Sequence, residues 1–446
     1  MKLWDKGYDI DGFTESFTIG KDRELDVMLA GADVIGNLAH LKMLHAVGLV
    51  NEAEYKSLQR ALVDIHGMVE RGEFVIEEGI EDVHSQIELL LVRECGDAGK
   101  KIHTGRSRND QVLLDLKLFT REAIFETLEH IERLFDLLIR RAGENKDVLI
   151  PGYTHLQVAM PSSFGLWFGA YAESLADDLL ALKAAYDMVN TNPLGSGAGY
   201  GSSIALNRQM TTDLLGFSSL AYNVVYAQMQ RGKMEKNVLF GLAAVATTLG
   251  RLAADVCLFA CNNFGFVHLP DKYTTGSSIM PHKKNPISAE NMTGLSRLIR
   301  TNALAALENQ ALWHERDISH SSVERVIMPD STILTDYVLH RLCRLLEGLR
   351  IMPENMARNL ECSFGLYFSQ RVLTALIETG IPRQEAYVMV QRNAMKSWET
   401  RQPFPELIKA DPEINSRLSE ETFAGLFDPQ FYLRHEGDIL KRVFEE

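Results

Sequence analysis

Features that would place the chain in a membrane or outside the cell are missing from its sequence. The 446 residues contain no run of 18 apolar residues, so we expect no transmembrane helix. The opening residues MKLWDKGYDIDG lack the apolar core of a secretory signal. Only five cysteines occur, an odd and dispersed set that is typical of reduced thiols. These absences predict a soluble, cytoplasmic, globular protein.

Positive charge is also scarce. Lysine and arginine total 46 against 60 aspartates and glutamates, which gives a formal net charge of −14. Such a chain is not expected to bind nucleic acid or an anionic membrane in general. Cys257 and Cys261 lie one helical turn apart in an apolar stretch, which is more typical of a helix core than of a metal site. No other metal-ligand spacing occurs, so we expect neither a metal nor a cofactor.

Proline is rare across the middle of the chain, where apolar residues recur at helical spacing. No proline lies between residues 194 and 269 or between 287 and 328. Residues that step by three and four form long stripes: Ile124, Leu128, Ile131, Phe135 and Leu138; Phe164, Phe168, Tyr171, Leu175, Leu179 and Leu182; Val238, Leu242, Val245, Leu249, Leu252, Val256 and Phe259. A further segment is predicted after Pro329.

These stripes predict the fold class. A helix of about 30 residues spans roughly 45 Å, and several helices of that length pack side by side. We therefore predict an all-α fold in which a long central helical bundle is flanked by two smaller helical domains. The predicted boundaries are 1–110, 111–352 and 353–446.

Polar loops interrupt the helical segments at residues 101–110, 151–157 and 274–286. Loops held by a rigid scaffold are common places for chemistry. The last loop contains GSSIMPHKKNP at 276–286, with paired serines, two prolines and adjacent lysines. A Gly-Ser-Ser stretch alone is typical of a solvated surface loop. The full string is far more specific than that.

This string resembles the signature of the fumarase/aspartase superfamily, which includes the argininosuccinate and adenylosuccinate lyases. Its members remove a proton beside a carboxylate and then expel a leaving group. The resemblance implies that Ser277, with Ser278 as the weaker candidate, is the base on a closing loop, and that Lys283 and Asn285 contact the substrate carboxylate. Deprotonation adds negative charge there, so cations and donors must face it. A serine base needs desolvation beside positive charge, and Lys283 and Lys284 are candidates to supply that charge.

The string PGYTHLQ at 151–157 resembles the Thr-His motif of the same superfamily. A lone histidine at a helix entrance is more often structural. The resemblance instead implies that His155 assists proton transfer to the leaving group and that Thr154 binds substrate. Glu290, 13 residues after Ser277, has the family spacing of the carboxylate paired with that histidine. Such a carboxylate raises the histidine pKa and fixes its tautomer.

The string HTGRSRNDQ at 103–111 resembles the argininosuccinate lyases closely. By itself it is also typical of a basic turn followed by a helix cap. The resemblance implies that Ser107, Arg108 and Asn109 bind substrate. The glycine-rich segment 195–201 lacks the Lys-Ser/Thr ending of a phosphate loop and is more typical of a tight turn between helices.

The two ends of the chain resemble different enzymes. Residues 1–285 resemble argininosuccinate lyases, and residues 286–446 resemble adenylosuccinate lyases through the segments 290–300, 312–325 and 364–373. This pattern suggests a chimera, natural or engineered, joined at the shared motif.

The second resemblance implies a phosphate site at Arg316, Ser321 and Arg325. Arginine suits phosphate because a guanidinium donates two parallel hydrogen bonds. Arg316 and Arg325 are equally typical of an ion-paired helix face. His84 matches a second histidine of the adenylosuccinate lyases, and it also fits the Glu-Asp-x-His motif of the argininosuccinate lyases.

Both families break a C–N bond to a succinyl group and release fumarate. The leading hypothesis is conversion of argininosuccinate to arginine and fumarate. One alternative is conversion of adenylosuccinate to AMP and fumarate, and another is a catalytically silent structural homologue. The partners expected are a small anionic substrate and further copies of the chain, with neither nucleic acid nor membrane. Family enzymes are homotetramers, so the resemblance implies that Ser107, His155 and Ser277 of one site come from different subunits.

Overall fold

The computed structural model of the protein describes residues 22–311, 313–314, 317 and 319–444. Helices dominate this part of the chain, which confirms the predicted all-α class. The α-helices are α1 (Asp22–Asp26), α2 (Ala30–Ala46), α3 (Glu52–Glu70), α4 (Val83–Cys95), α5 (Arg108–Glu144), α6 (Phe164–Val189), α7 (Arg208–Leu214), α8 (Val224–Met229), α9 (Lys233–Phe259), α10 (Ile287–Glu308), α11 (Ser321–Glu347), α12 (Pro353–Glu361), α13 (Ser369–Glu378), α14 (Arg383–Thr400), α15 (Phe404–Ala410), α16 (Pro412–Asn415), α17 (Glu420–Leu426) and α18 (Glu436–Phe444).

Small two-stranded sheets accompany the helices. Strands β1 (Leu149–Thr154) and β2 (Gln157–Ser163) form an antiparallel hairpin. Strands β3 (Thr191–Asn192) and β4 (Ser219–Leu220) pair in parallel, and β5 (Val267–His268) and β6 (Arg350–Ile351) pair antiparallel. The short 3₁₀ segments are Val27–Leu29, Gly96–Lys101, Asp271–Tyr273, Leu366–Phe368 and Pro429–Leu433.

The predicted apolar stripes occupy the buried faces of the long helices. In α9, Val238, Leu242, Val245 and Leu249 are each at most 1% exposed. Burying a side chain of this size contributes about 1.5–3 kcal/mol relative to leaving it in water. Helices of this length therefore owe their stability to one continuous apolar face rather than to local propensity.

Helix α11 begins earlier than predicted. The sequence predicted a segment after Pro329, but α11 starts at Ser321 and contains that proline. Proline inside a helix removes one hydrogen bond and crowds the preceding turn. The buried side chains of Ile327 and Met328, 6% and 1% exposed, continue the apolar face up to the proline and offset that cost.

The chain divides into two compact units. Unit 1 comprises the described parts of Met1–Glu129, Asp178–Thr247 and Leu295–Tyr337. Unit 2 comprises His130–Asp177, Thr248–Gly294 and the described part of Val338–Glu446. Helices α5, α6, α9, α10 and α11 each contribute residues to both. The three-domain boundaries predicted from the sequence remain a prediction.

Each unit has its own apolar core. In unit 1, Leu41, Leu58 and Ile87 from α2, α3 and α4 are fully buried in one cluster. In unit 2, Val372 and Phe404 are fully buried in a cluster that α13–α17 supply.

Two helical segments, Arg23–Ala46 and Lys233–Phe259, are long and apolar enough to cross a membrane, by length and composition alone. In an apolar stretch of 18 residues within each segment, 56% is buried inside the protein. A core helix of a soluble protein meets the same criteria. The burial favours that interpretation.

Candidate active site

Loop 274–286, in unit 2, is closed at its base by backbone pairing. Thr275 and Asn285 form an antiparallel bridge, with N–H to O distances of 3.1 and 2.8 Å between their backbones. The Asn285 side-chain amide also donates to the Gly276 carbonyl at 3.2 Å. The loop therefore places Asn285 beside the Gly-Ser-Ser turn. This proximity is expected if Asn285 and the turn contact the same substrate.

The Ser277 hydroxyl oxygen lies against two backbone amides. Its Oγ accepts hydrogen bonds from the N–H groups of Ile279 at 3.3 Å and Met280 at 3.1 Å. Donors aimed at an oxygen stabilise negative charge on it. This geometry is consistent with Ser277, rather than the exposed Ser278, as the base.

The two lysines of the loop differ. The Lys284 ammonium lies 2.7 Å from an Asp271 carboxylate oxygen, and this pairing lowers the pKa of Asp271. Lys283 is exposed and, among the described residues, forms no ion pair. Lys283 therefore remains the candidate to meet a substrate carboxylate.

Glu290 lies in the first turn of α10, where the helix dipole favours a carboxylate. Burial first, and then the negative charge of Glu290, raise the pKa of the Cys257 thiol to about 11. The exposed Glu290 carboxylate therefore lies within electrostatic range of α9.

His155 lies at the tip of the β1–β2 hairpin, not at a helix entrance as predicted. Thr154 and Gln157 form the last strand pair. Between them His155 and Leu156 have φ angles of +53° and +59°. Two consecutive left-handed residues are the mark of a type I′ hairpin turn, and α6 begins only at Phe164. Thr154 and His155 are both exposed there.

Among the described residues, the single chain shows no hydrogen bond or ion pair that joins His155 to Ser277 or Glu290. The predicted pairing of His155 with Glu290 therefore remains a prediction. It depends on whether the two groups meet in an assembly.

The Arg-Ser-Arg-Asn-Asp segment, in unit 1, begins helix α5. The Ser107 hydroxyl accepts from the Asn109 N–H at 3.2 Å, and the Ser107 N–H donates to Asp110 at 2.8 Å. The other Asp110 oxygen accepts from the N–H groups of Gly195 and Gly197 at 2.9 and 3.0 Å. Asp110 thus holds the predicted glycine-rich turn, whose φ angles at Gly195 and Gly197 are +84° and +60°, against the helix start.

The Arg108 guanidinium is fixed by several contacts. It donates to the Gln111 side-chain oxygen at 3.0 Å and to the Ser85 hydroxyl at 3.2 Å. Its Nε lies 3.5 Å from an Asp82 carboxylate oxygen. The predicted substrate-binding arginine is therefore oriented before any ligand arrives.

His84 is 3% exposed and lies between two buried carboxylates. Its Nδ1 is 3.3 Å from Asp33 and 3.2 Å from Asp115. Burial lowers the pKa of His84, but the charge of Asp33, its hydrogen bond and the charge of Asp82 together outweigh burial and raise the pKa. Burial raises the pKa of Asp33, but the charge and hydrogen bond of His84, followed by the charge of Arg106, together outweigh burial and hold the pKa below its usual range.

Asp115 behaves in the opposite way to Asp33. Burial first, and then the negative charge of Asp33, raise the pKa of Asp115 far above its usual value. Candidate ligand atoms of Asp33, His84 and Asp115 lie within 4.8 Å of one another, which is the spacing of a metal site. The positive charge of Arg106, which acts on both carboxylates, and the raised pKa of Asp115 disfavour a cation there.

A cavity of about 150 Å³ in unit 1 brings several predicted residues together. His84, Ser321 and Arg325 all line it, with Asp26 and Asp82 beside them. The Arg325 guanidinium lies 3.4 Å from the Ser321 hydroxyl, and burial lowers the pKa of Arg325. The apolar residues that line the cavity are Leu25, Met28, Leu29, Val112, Leu116, Phe119, Met328 and Pro329.

A buried charge cluster lies at one side of this cavity. The Arg231 guanidinium is 2.6 Å from Glu324 and 3.4 Å from Glu235, and His320 is 3.6 Å from Glu324. Burial and then the charge of Glu324 raise the pKa of Glu235 well above its usual value. Burial also raises the pKa of Glu324, but the Arg231 charge, the hydrogen bond with Glu235 and the His320 charge together outweigh burial and lower that pKa.

Arg316 lies outside the described residues. The polar residues Asp33, Gln111 and Asp115 are not among the residues predicted from the sequence. One signal was available, since Arg108, Gln111 and Asp115 recur at helical spacing on one face of a helix that is otherwise apolar there.

Comparison with known proteins identifies relatives along most of the chain. A family model described as lyase matches residues 11–300, and one described as adenylosuccinate lyase C-terminus matches residues 365–443. The argininosuccinate lyase of Bacteroides fragilis is 65% identical over 396 residues, 87% of each chain. That of Parabacteroides distasonis is 52% identical over 398 residues, again 87% of each. That of Thermotoga neapolitana is 36% identical over 397 residues, covering 87% of this chain and 97% of the relative.

Solved structures share the fold at low sequence identity. EDDS lyase in complex with formate matches with a TM-score of 0.81 and 21% identity over 98% of this chain and 91% of that chain. A fumarate lyase from Mesorhizobium sp. BNC1 matches with a TM-score of 0.80 and 20% identity over 98% of each chain.

The comparisons do not support a chimera with adenylosuccinate lyase. An alignment of 396 residues is longer than residues 1–285, so relatives that bear one name extend past the expected junction. The resemblance of the C-terminal residues is real, but it is confined to the match at 365–443. The lyase model covers more than half of the chain. The chain therefore belongs to the lyase family of the fumarase/aspartase superfamily.

Proposed function

We propose that this enzyme is a fumarate-releasing C–N lyase that converts argininosuccinate to arginine and fumarate. The observation that carries the proposal is the 65% identity over 396 residues to an enzyme named argininosuccinate lyase. The strings HTGRSRNDQ and GSSIMPHKKNP, which carry the candidate residues, support the same reaction.

In the proposed reaction Ser277 removes a proton from the succinyl carbon next to the carbon that bears nitrogen. The two amides that donate to its Oγ favour the deprotonated hydroxyl. The electron pair enters the adjacent carboxylate, which Lys283 and Asn285 would stabilise. The C–N bond then breaks to form the double bond of fumarate, and the departing nitrogen receives a proton from His155, oriented by Glu290.

Polar groups of unit 1 support recognition of the rest of the substrate. Ser107, Arg108 and Asn109 would bind carboxylate oxygens. Asp26 and Asp82 line the cavity and suit the cationic groups of the arginine portion. Burial raises the pKa of Asp26, and an approaching cation would lower it again.

The test is fumarate release, followed by ultraviolet absorbance, with argininosuccinate and adenylosuccinate offered separately to the purified protein. We expect turnover of argininosuccinate, abolished in Ser277→Ala. Absence of fumarate from argininosuccinate, with the protein folded and assembled, would refute the proposal. It would favour the silent structural homologue if adenylosuccinate were also inert.

Adenylosuccinate is the second candidate substrate, because Ser321 and Arg325 line the same cavity as His84. The match of residues 365–443 to an adenylosuccinate lyase C-terminus favours it too. Arg325→Ala distinguishes the two. It should raise KM for adenylosuccinate by tenfold or more if Arg325 binds phosphate, and it should change argininosuccinate turnover far less.

We also propose that the enzyme is a cytoplasmic homotetramer with sites shared among three subunits. Exposed leucines on α10, Leu298, Leu304 and Leu307, are 44%, 59% and 44% exposed in the single chain and suit an interface. The five cysteines are free thiols, which supports a reducing compartment.

A further inference from the structure

We infer that Asp33, His84 and Asp115 form a buried positioning triad that acts through Gln111 to hold the Arg108 guanidinium beside the unit 1 cavity. The inference rests on the proposed function, in which Arg108 binds a substrate carboxylate. It assigns roles to four side chains that the reaction itself does not use.

The first step is the triad itself. Asp33 and Asp115 are fully buried, and both face the His84 Nδ1 at 3.3 and 3.2 Å. Buried carboxylates are stable only where a charge or proton balances them. The His84 imidazole, placed between the two carboxyl groups, satisfies this condition. The group is therefore a fixed anchor that joins α2, α4 and α5.

The second step links the anchor to Arg108. The Gln111 amide nitrogen donates to Asp33 Oδ1 at 2.7 Å, on the same oxygen that faces His84. The Gln111 side-chain oxygen then accepts from Arg108 at 3.0 Å. Gln111 is 3% exposed, so water does not replace either bond. The Asp33 acceptor thus fixes the orientation of the Gln111 amide, and the amide oxygen in turn fixes the position of the Arg108 guanidinium.

The third step is the environment of His84. The charged and titratable groups that face it are Asp26, Asp33, Asp82, His103, Arg108 and Asp115. Carboxylates outnumber cations in this set, which keeps the imidazole charged. Loss of the Asp33 charge removes a counter-ion that lies 3.3 Å from His84, and it leaves the Gln111 amide with a weaker, neutral acceptor.

The test is a double-mutant cycle between Asp33→Asn and Arg108→Lys, with argininosuccinate as substrate. Asp33→Asn should raise KM about tenfold in the wild-type background, as loss of an outer-shell contact commonly does. In the Arg108→Lys background the same change should raise KM less than about twofold, because a residue that acts through Arg108 has nothing left to position. Equal effects in both backgrounds would overturn the inference.

Two further variants separate positioning from folding. Asp213→Asn is the matched control, since this exposed aspartate of unit 1 also accepts from a glutamine amide, that of Gln209 at 2.8 Å. It should leave KM unchanged. Asp115→Asn should raise KM less than Asp33→Asn, because the Gln111 amide donates to Asp33 and not to Asp115. Equal increases in KM, with equal decreases in melting temperature, in Asp33→Asn and Asp115→Asn would indicate a merely structural role.

A crystal structure of Asp33→Asn gives a readout that needs no substrate. We expect the Gln111 amide to rotate and the Arg108 guanidinium to leave it. If wild-type protein releases no fumarate, the proposed function fails while this structure still tests the triad. Retention of a stoichiometric divalent cation by wild-type protein, lost in Asp115→Asn, would overturn the inference by making the three side chains metal ligands.

Discussion

Lys117 illustrates how much a single residue can depend on burial. Its side chain is fully buried on α5, and its ammonium donates to the Thr191 hydroxyl at 2.7 Å and the Gln230 side-chain oxygen at 2.9 Å. Both acceptors are neutral, and burial lowers the pKa of Lys117 to about 7. Burial therefore disfavours the charged form of Lys117 in the folded protein.

The first prediction concerns stability against pH. Between pH 7 and the ordinary lysine value near 10.5, the unfolded chain holds a proton that the folded chain has released. The free energy of unfolding should therefore rise across this window relative to Lys117→Met, by about 1–3 kcal/mol. Urea unfolding of both proteins at pH 7, 8.5 and 10 measures the difference. A difference that stays flat or falls with pH would contradict it.

The second prediction concerns the paired serines of loop 274–286. Ser277→Ala removes the oxygen that accepts from two amides, and kcat should fall by about 10³-fold or more without loss of melting temperature. Ser278→Ala, on the neighbouring exposed residue, is the control and should change kcat by less than about fivefold. The roles would be reversed if Ser278→Ala were the inactive variant.

Among secondary structure elements, the β1–β2 hairpin stands out because its tip carries side chains in left-handed conformation. His155 and Leu156 have φ of +53° and +59°. For residues other than glycine or asparagine this conformation costs about 1–2 kcal/mol. Strain at such a place is common where a side chain serves a function.

The third prediction uses asparagine, which tolerates this conformation. Leu156→Asn should raise the melting temperature slightly, since Leu156 is 75% exposed and loses little packing. His155→Asn should keep or raise stability while kcat falls by about 10²-fold, because the turn persists and the imidazole does not. A His155→Asn enzyme with full kcat would show that the histidine serves only the turn.

The elements also show what the sequence was able to predict. The stripes of α5, α6 and α9 follow from spacing alone, since burial along a helix imposes its period on the residues. The start of α11 was missed because proline is disfavoured inside a helix, and tertiary packing overrides that preference at Pro329. The hairpin was missed because Pro151 and Gly152 are typical of a loop. The pairing of the two strands across the turn leaves no pattern in the local sequence.

The candidate site was predicted unevenly for a related reason. Ser277, His155 and Arg108 stand in specific strings, so a resemblance can locate them. Asp33 and Asp115 stand in ordinary helical sequence, and their importance arises from burial beside His84, which comes from α4. Contacts between residues far apart in the chain leave no local pattern.

At the scale of the whole molecule, the fourth prediction concerns sharing of sites. His155→Ala and Ser277→Ala chains should each be inactive alone. Refolded together in equal amounts they should regain about one quarter of wild-type activity, since random assembly supplies both intact groups to about one site in four. Size-exclusion chromatography checks that both variants assemble. Mixed assemblies without activity would show that each site uses a single chain.

The division into two units sorts the candidate residues by task. Ser277, Lys283, Glu290 and His155, which would carry out the elimination, all belong to unit 2. Ser321 and Arg325, which would meet the leaving group, both belong to unit 1. Changes that alter recognition therefore need not touch the residues of the elimination.

This arrangement has a consequence for evolvability. A lineage can change the leaving group that it recognises through substitutions in unit 1, while the residues of the elimination in unit 2 stay unchanged. A mutant library confined to the lining of the unit 1 cavity should thus yield enzymes for new succinyl compounds at a higher frequency than an equally large library in loop 274–286.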